Sequence, residues 1–125
     1  MATILAVDDD QGMLMLYERV VRSEGHTFCS AWTAFGALES LRTEPIDLVF
    51  LDLELHGLMS GIDVMRHIKP SIPVVVVTGH ESVYHEERDD NPDHPLYRTA
   101  MAMFKPVSSV QLINAIHHFA KGQAT

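Results

Sequence analysis

The stretch Pro45-Ile46-Asp47-Leu48-Val49-Phe50-Leu51-Asp52-Leu53-Glu54 decides the fold. Its run from Ile46 to Leu51 is almost wholly apolar, which is the pattern of a central strand buried on both faces. Such a strand belongs to a parallel sheet covered above and below by helices, because parallel neighbours need crossover connections. The run ends on Asp52, a carboxylate at a strand's carboxyl end.

Three further apolar runs end on polar residues. Residues 4–7 lead into Asp8-Asp9-Asp10, residues 74–77 into Thr78, and residues 101–104 into Lys105-Pro106. In an open parallel sheet the carboxyl ends lie along one edge, where loops from different strands converge on a ligand. One pocket is therefore expected to gather three carboxylates, a hydroxyl and an ammonium.

Helix-like segments alternate with these strands. Leu14, Tyr17, Val20 and Val21 recur at helical spacing before Gly25 stops the pattern, and residues 26–30 read as a second strand with Cys29 as a small buried apolar residue. Thr33 caps a helix expected to carry Phe35, Leu38 and Leu41. After the loop His56-Gly57-Leu58-Met59, Ser60 caps a short helix with Ile62, Met65 and Ile68 inward, closed by Pro70. Residues 73–77 form the fourth strand. Ser108 with Gln111 three residues on is a capping box for the last helix, whose apolar stripe is Leu112, Ile113, Ile116 and Phe119, with Gln111, Asn114 and His118 opposite. Five strands alternating with helices predict a doubly wound α/β sandwich with right-handed crossovers.

Residues 80–97 break the pattern. They hold Glu81, Glu86, Glu87, Asp89, Asp90 and Asp93 together with Pro92 and Pro95, so any helix there is expected to end before Asn91, with loop continuing to about Tyr97. His80, His85 and His94 in this segment invite a transition-metal reading, but without a defined scaffold they read better as parts of a solvated loop.

Composition excludes several classes. An apolar share of 46% in 125 residues supports one sizeable core, and a single domain over residues 1–125 is expected. Lys and Arg number 9 against 17 Asp and Glu, a net charge of -8 with no basic stripe, which argues against direct nucleic-acid binding and suits a divalent cation or a basic partner. No run is long enough for membrane insertion, and Cys29 is the only cysteine, so no internal disulfide is possible; a cytoplasmic location is the expectation.

The order Asp8-Asp9, Asp52, Thr78-Gly79, Lys105-Pro106 resembles the receiver domains of two-component response regulators, over the whole chain and at close to the family's spacings. The resemblance implies a flavodoxin-like sheet of strand order 2-1-3-4-5. It implies that Asp52 is the phosphoacceptor, that Mg²⁺ is bound directly by Asp9 and Asp52, by Asp8 through water and by the Glu54 backbone carbonyl, and that Lys105 contacts a phosphoryl oxygen. Thr78 is then the hydroxyl donor to another oxygen, Gly79 leaves the approach open, and the bond to Pro106 is cis. The implied partners are a sensor histidine kinase or histidine phosphotransfer protein and an unknown downstream protein target. Such a protein is not a conventional enzyme; it catalyses its own phosphorylation and dephosphorylation. With no effector domain in the chain and only residues 121–125 after the last helix, it is expected to be a stand-alone receiver or one excised from a longer regulator.

Taken singly, Asp10 reads as a helix cap, Thr78 as a turn residue and Lys105 as a surface side chain. Jointly, at matching strand ends, they read as a site. Three departures from the family stand out: a loop between Asp52 and Gly61 one residue longer than usual with His56 where proline is common, Ala102 where an aromatic is common, and residues 80–97 in place of a typical fourth helix. Two other readings compete. One is a pseudo-receiver that binds proteins without phosphate control; the other is a phosphatase resembling the haloacid dehalogenase superfamily, with Asp8 as nucleophile and Asp10 as acid/base.

Overall fold

The computed structural model describes residues 1–89 and 92–120. Ten regular elements alternate: β1 (Thr3–Val7), α1 (Gln11–Ser23), β2 (Thr27–Ala31), α2 (Ala34–Thr43), β3 (Leu48–Leu51), α3 (Gly61–Arg66), β4 (Val74–Thr78), α4 (Glu81–Asp89), β5 (Met101–Phe104) and α5 (Ser109–Phe119). All neighbouring strands pair in parallel, in the order 2-1-3-4-5. This is the doubly wound, flavodoxin-like arrangement, with β1 and β3 at the switch point where the strand order reverses.

The period of two along each strand divides the core into two layers. Ile4, Ala6, Leu48, Phe50, Val75 and Val77 face one side, against Tyr17 and Val21 of α1 and Leu112 and Ile116 of α5. Leu5, Val7, Val49, Leu51, Val74 and Val76 face the other, against Ala37 of α2 and Val64 and Met65 of α3. Every residue of β3 and β4 is buried, as continuous apolar runs require.

Local signals set the helix ends. Asp10 caps α1 by accepting from Gly12 and Met13, and the chain leaves α1 through Gly25 at φ 83°, a conformation that side-chain-bearing residues rarely adopt. Ser108 and Gln111 form the capping box of α5, and Ser60 with Asp63 forms a second one on α3.

Several expectations need correction. The second strand is Thr27–Ala31, one residue later than expected, because its ladder runs in register with Thr3–Val7. It is an edge strand, so Cys29 is only half-buried. On α2 the inward residues are Ala34 and Ala37, with Leu38 and Leu41 half-buried, while Phe35 is 63% exposed. One residue turns a helix by about 100°, which carries Phe35 off the face that Ala34 and Ala37 share. Val64 rather than Ile62 is the buried partner of Met65 on α3, and that helix stops at Arg66, well before Pro70.

The largest difference lies in residues 80–97. A fourth helix over Glu81–Asp89 ends before Asn91, as expected, and the chain then makes a 3-10 turn over Pro95–Arg98 where loop was expected. Pro95 opens that turn, where its missing N–H is no loss, and His94 caps it by accepting from the Leu96 N–H. Among the described residues of the helix the buried anchor is Tyr84, which stacks edge-on against Phe104 with ring centroids 5.7 Å apart; Leu96 is buried in the same core layer. The expectations for Asp90, Asn91 and residues 121–125 lie outside the described residues.

Candidate functional site

The backbone of the site is a one-residue extension of the sheet ladder. Asp8 N–H donates to Ala31 O at 3.1 Å, Asp52 N–H to Val7 O at 2.9 Å and Lys105 N–H to Thr78 O at 2.8 Å. Each polar residue is thus fixed by the strand beside it, and the side chains converge because the strands end together.

Asp8, Asp52 and Thr78 are the only buried polar or charged residues among those described, at 0%, 2% and 2% exposure. Carboxylate oxygens of Asp8, Asp9 and Asp52 lie within 4.8 Å of one another. Lys105 Nζ stands 3.0 Å from Oδ2 of both Asp8 and Asp52. Only the Asp52 contact has hydrogen-bond geometry, which leaves Asp8 Oδ2 buried with an ion pair but no hydrogen bond. The other oxygens are held by backbone: Asp52 Oδ1 accepts from Glu54 N–H and Asp8 Oδ1 from Asp10 N–H, both at 2.9 Å.

Burial pushes the Asp52 carboxyl up to about 6; the Glu54 N–H and Lys105 pull it down, and Asp8 adds to the rise. Burial also disfavours the Lys105 ammonium, but Asp8 and Asp52 outweigh it and hold the lysine above its usual value. Three clustered carboxylates, two of them paired with one ammonium, leave surplus negative charge around oxygen donors, and one buried oxygen lacks a hydrogen bond. That donor set fits a hard divalent cation such as Mg²⁺, which takes oxygen ligands and retains water.

Thr78 Oγ1 donates to Glu54 Oε1 at 3.3 Å and Gly79 N–H donates to the same oxygen at 3.4 Å. Glu54 Oε2 in turn lies 2.8 Å from His80 Nε2. The peptide bond between Lys105 and Pro106 is cis. Asp10 is engaged as the α1 cap and is not among the clustered carboxylates, so it is not placed as an acid/base partner of Asp8.

Two contacts escaped the sequence reading: His56 Nδ1 on Asp9 Oδ2, and His80 on Glu54. The unusual histidine in the metal-side loop was a signal for the first; for the second there was none beyond a histidine two residues after Thr78. The histidines of residues 80–97 do not gather. His80 meets Glu54, His85 lies 3.7 Å from Glu81, and His94 caps its turn; among the described residues the one cluster suited to a metal ion is Asp8, Asp9 and Asp52.

The family profile of the response regulator receiver domain matches residues 4–117. The transcriptional regulatory protein GlrR of Escherichia coli K12 is 34% identical over 85 residues, 66% of this chain and 19% of that protein. The nitrogen assimilation regulatory protein NtrX of Azorhizobium caulinodans is 33% identical over 84 residues, 64% of this chain and 18% of that protein. This chain therefore spans about a fifth of such relatives. In structure, a CheY-like receiver domain protein from Methanospirillum hungatei JF-1 matches with a TM-score of 0.82 at 25% identity, covering 99% of this chain and 97% of that one. The receiver domain of NtrX from Brucella abortus matches with a TM-score of 0.80 at 28% identity, covering 94% and 98%. Sequence, topology and the acidic cluster at the switch point agree: the chain belongs to the response regulator receiver domain family of two-component signal transduction.

Proposed function

We propose that Asp52 is the phosphoacceptor of this receiver. The observation that carries the reading is the shared position of Lys105 Nζ, 3.0 Å from both Asp52 and Asp8, at the edge where Asp9 and Thr78 also converge. Receivers accept a phosphoryl group, and the family works with histidine kinases and downstream effectors; the donor here is a phosphohistidine on a kinase or phosphotransfer protein. One carboxylate oxygen of Asp52 attacks phosphorus, the P–N bond breaks, and the imidazole leaves with the electron pair. Hydrolysis reverses the modification: water attacks phosphorus, Asp52 leaves as the carboxylate, and inorganic phosphate departs.

The chain's contribution is positioning and charge neutralisation. Asp8, Asp9, Asp52 and the Glu54 carbonyl are the residues that would hold Mg²⁺, which when bound supplies positive charge to the phosphoryl oxygens. Lys105 pairs with one phosphoryl oxygen and the Thr78 hydroxyl donates to another, while Gly79 presents its N–H without a side chain in the way. The Asp8-nucleophile reading finds no support, because Asp10 is engaged as a cap and the family is that of receivers.

Output passes through a protein partner in a cytoplasmic setting. With Ala102 in place of an aromatic, the moving element is the segment around α4 and the Pro95–Arg98 turn, whose anchor Tyr84 packs on Phe104, the neighbour of Lys105. The test is incubation with a small acyl phosphate and Mg²⁺, followed by intact-mass measurement. One added phosphoryl group, abolished by chelator and by Asp52→Asn, supports the proposal; a mass unchanged under all conditions returns the chain to the pseudo-receiver reading.

A further inference from the structure

Two donors needed for phosphoryl oxygens are already occupied. Thr78 Oγ1 and Gly79 N–H both donate to Glu54 Oε1, at 3.3 and 3.4 Å, and the carboxylate's second oxygen is held by His80 Nε2 at 2.8 Å. A carboxylate and a phosphoryl group offer such donors the same thing, an anionic oxygen with free lone pairs. The Glu54 side chain also reaches its place from within the site: its own backbone N–H binds Asp52 Oδ1, so the residue that orients the phosphoacceptor also covers the subsite beside it.

We propose that Glu54 is an internal plug of the phosphoryl-oxygen subsite in the unmodified protein, tethered by His80, and that a phosphoryl group on Asp52 must displace it to reach Thr78 and Gly79. This rests on Asp52 being the phosphoacceptor. Both contacts to Oε1 are longer than the usual 2.9–3.0 Å for N–H donors or 2.7–2.8 Å for hydroxyls, and the Glu54 side chain is 48% exposed, so the plug is held loosely and has water to move into. His80, itself 63% exposed, keeps the displaced carboxylate beside the site instead of setting it free. Glu54 thereby lowers affinity for the phosphoryl group by competition for donors, and its tether speeds return to the unmodified state.

The competition separates from simple charge repulsion. Glu54→Asp keeps the negative charge but is one methylene too short to span to Thr78 and Gly79; Glu54→Ala removes both charge and reach. The experiment titrates fluoroberyllate, a phosphoryl mimic, into the ¹⁵N-labelled protein at saturating Mg²⁺ and follows the amide resonances of Thr78 and Gly79. Parent binding is expected, with Glu54→Ala and Glu54→Asp both tightening it by roughly tenfold, the effect of freeing one or two hydrogen bonds. His80→Ala, which loosens the tether alone, is expected to tighten it by less. In the unliganded variants at position 54 the Gly79 amide should exchange faster than in the parent. Equal affinity of parent and both variants at position 54 overturns the plug, as does tightening by Glu54→Ala alone, which would assign the effect to charge. Absence of fluoroberyllate binding in the parent and every variant overturns the Asp52 reading, and the plug with it.

Discussion

Gly61 lies against the backbone of Asp52 so closely that a Cβ at position 61 would stand 2.3 Å from the Asp52 carbonyl oxygen and 2.6 Å from the Leu53 Cα. Both obstacles are main chain, so no side-chain rotation relieves the contact. The first turn of α3 is thus braced on the residue proposed to carry the phosphoryl group.

Gly61→Ala is expected to destabilise the fold by about 1–3 kcal/mol through overpacking and to shift the loop after Asp52. Urea denaturation measures the first effect and the rate of labelling by a small acyl phosphate the second. Unchanged stability together with unchanged labelling would show that the α3 terminus does not brace Asp52.

Asp52 gives the metal-free protein a pH dependence of definite sign. Its carboxyl is raised from 3.8 to about 6 in the folded state, so its favourable contribution is complete below about pH 4 and is lost as pH rises through 6. In chelator, Asp52→Asn is expected to be more stable than the parent above pH 6, by roughly 2 kcal/mol, and to lose that advantage towards pH 4. Thermal melts across that window measure it; parallel pH profiles for the two proteins would contradict the assignment.

Lys105 is the cation that two buried carboxylates share, with its own side chain 24% exposed. Lys105→Met leaves Asp8 and Asp52 without it, and the expected loss is about 3 kcal/mol in chelator, the lower end for breaking a buried pair because the ammonium is partly solvated. Added Mg²⁺ should restore part of the loss by binding the same carboxylates. A melting temperature that Mg²⁺ does not raise would argue against a cation site there.

The fold was legible because its signals are redundant. The run ending at Asp52 requires burial on both faces, and the matched ends of four apolar runs bring the polar residues to one edge whatever the loops do. Less legible were contacts made by long or exposed side chains, such as His56 on Asp9 and Glu54 between Thr78 and His80, since neither has a period or a cap to announce it. The face of α2 was misjudged by size: Phe35 is the larger apolar residue, but the small Ala34 and Ala37 sit buried against the sheet. In residues 80–97 proline marked where a helix must end, but the weight of charge concealed the turn that follows and the anchoring by Tyr84 and Leu96.

That anchoring can be measured. Leu96 is 1% exposed within the core layer that includes Val74 and Val76, so Leu96→Ala is expected to destabilise the protein by about 3 kcal/mol. Denaturant midpoints read the effect. A change below 0.5 kcal/mol, typical of surface sites, would place the Pro95–Arg98 turn outside the cooperative fold.

One carboxylate among three takes the phosphoryl group. The most direct measurement is Mg²⁺-dependent labelling with a small phosphodonor, reductive trapping of the acyl phosphate, and peptide mapping of the modified residue. Modification of Asp52 and no other aspartate is expected; a label on Asp8 or Asp9, or labelling that persists in Asp52→Asn, would rule out Asp52 as the phosphoacceptor.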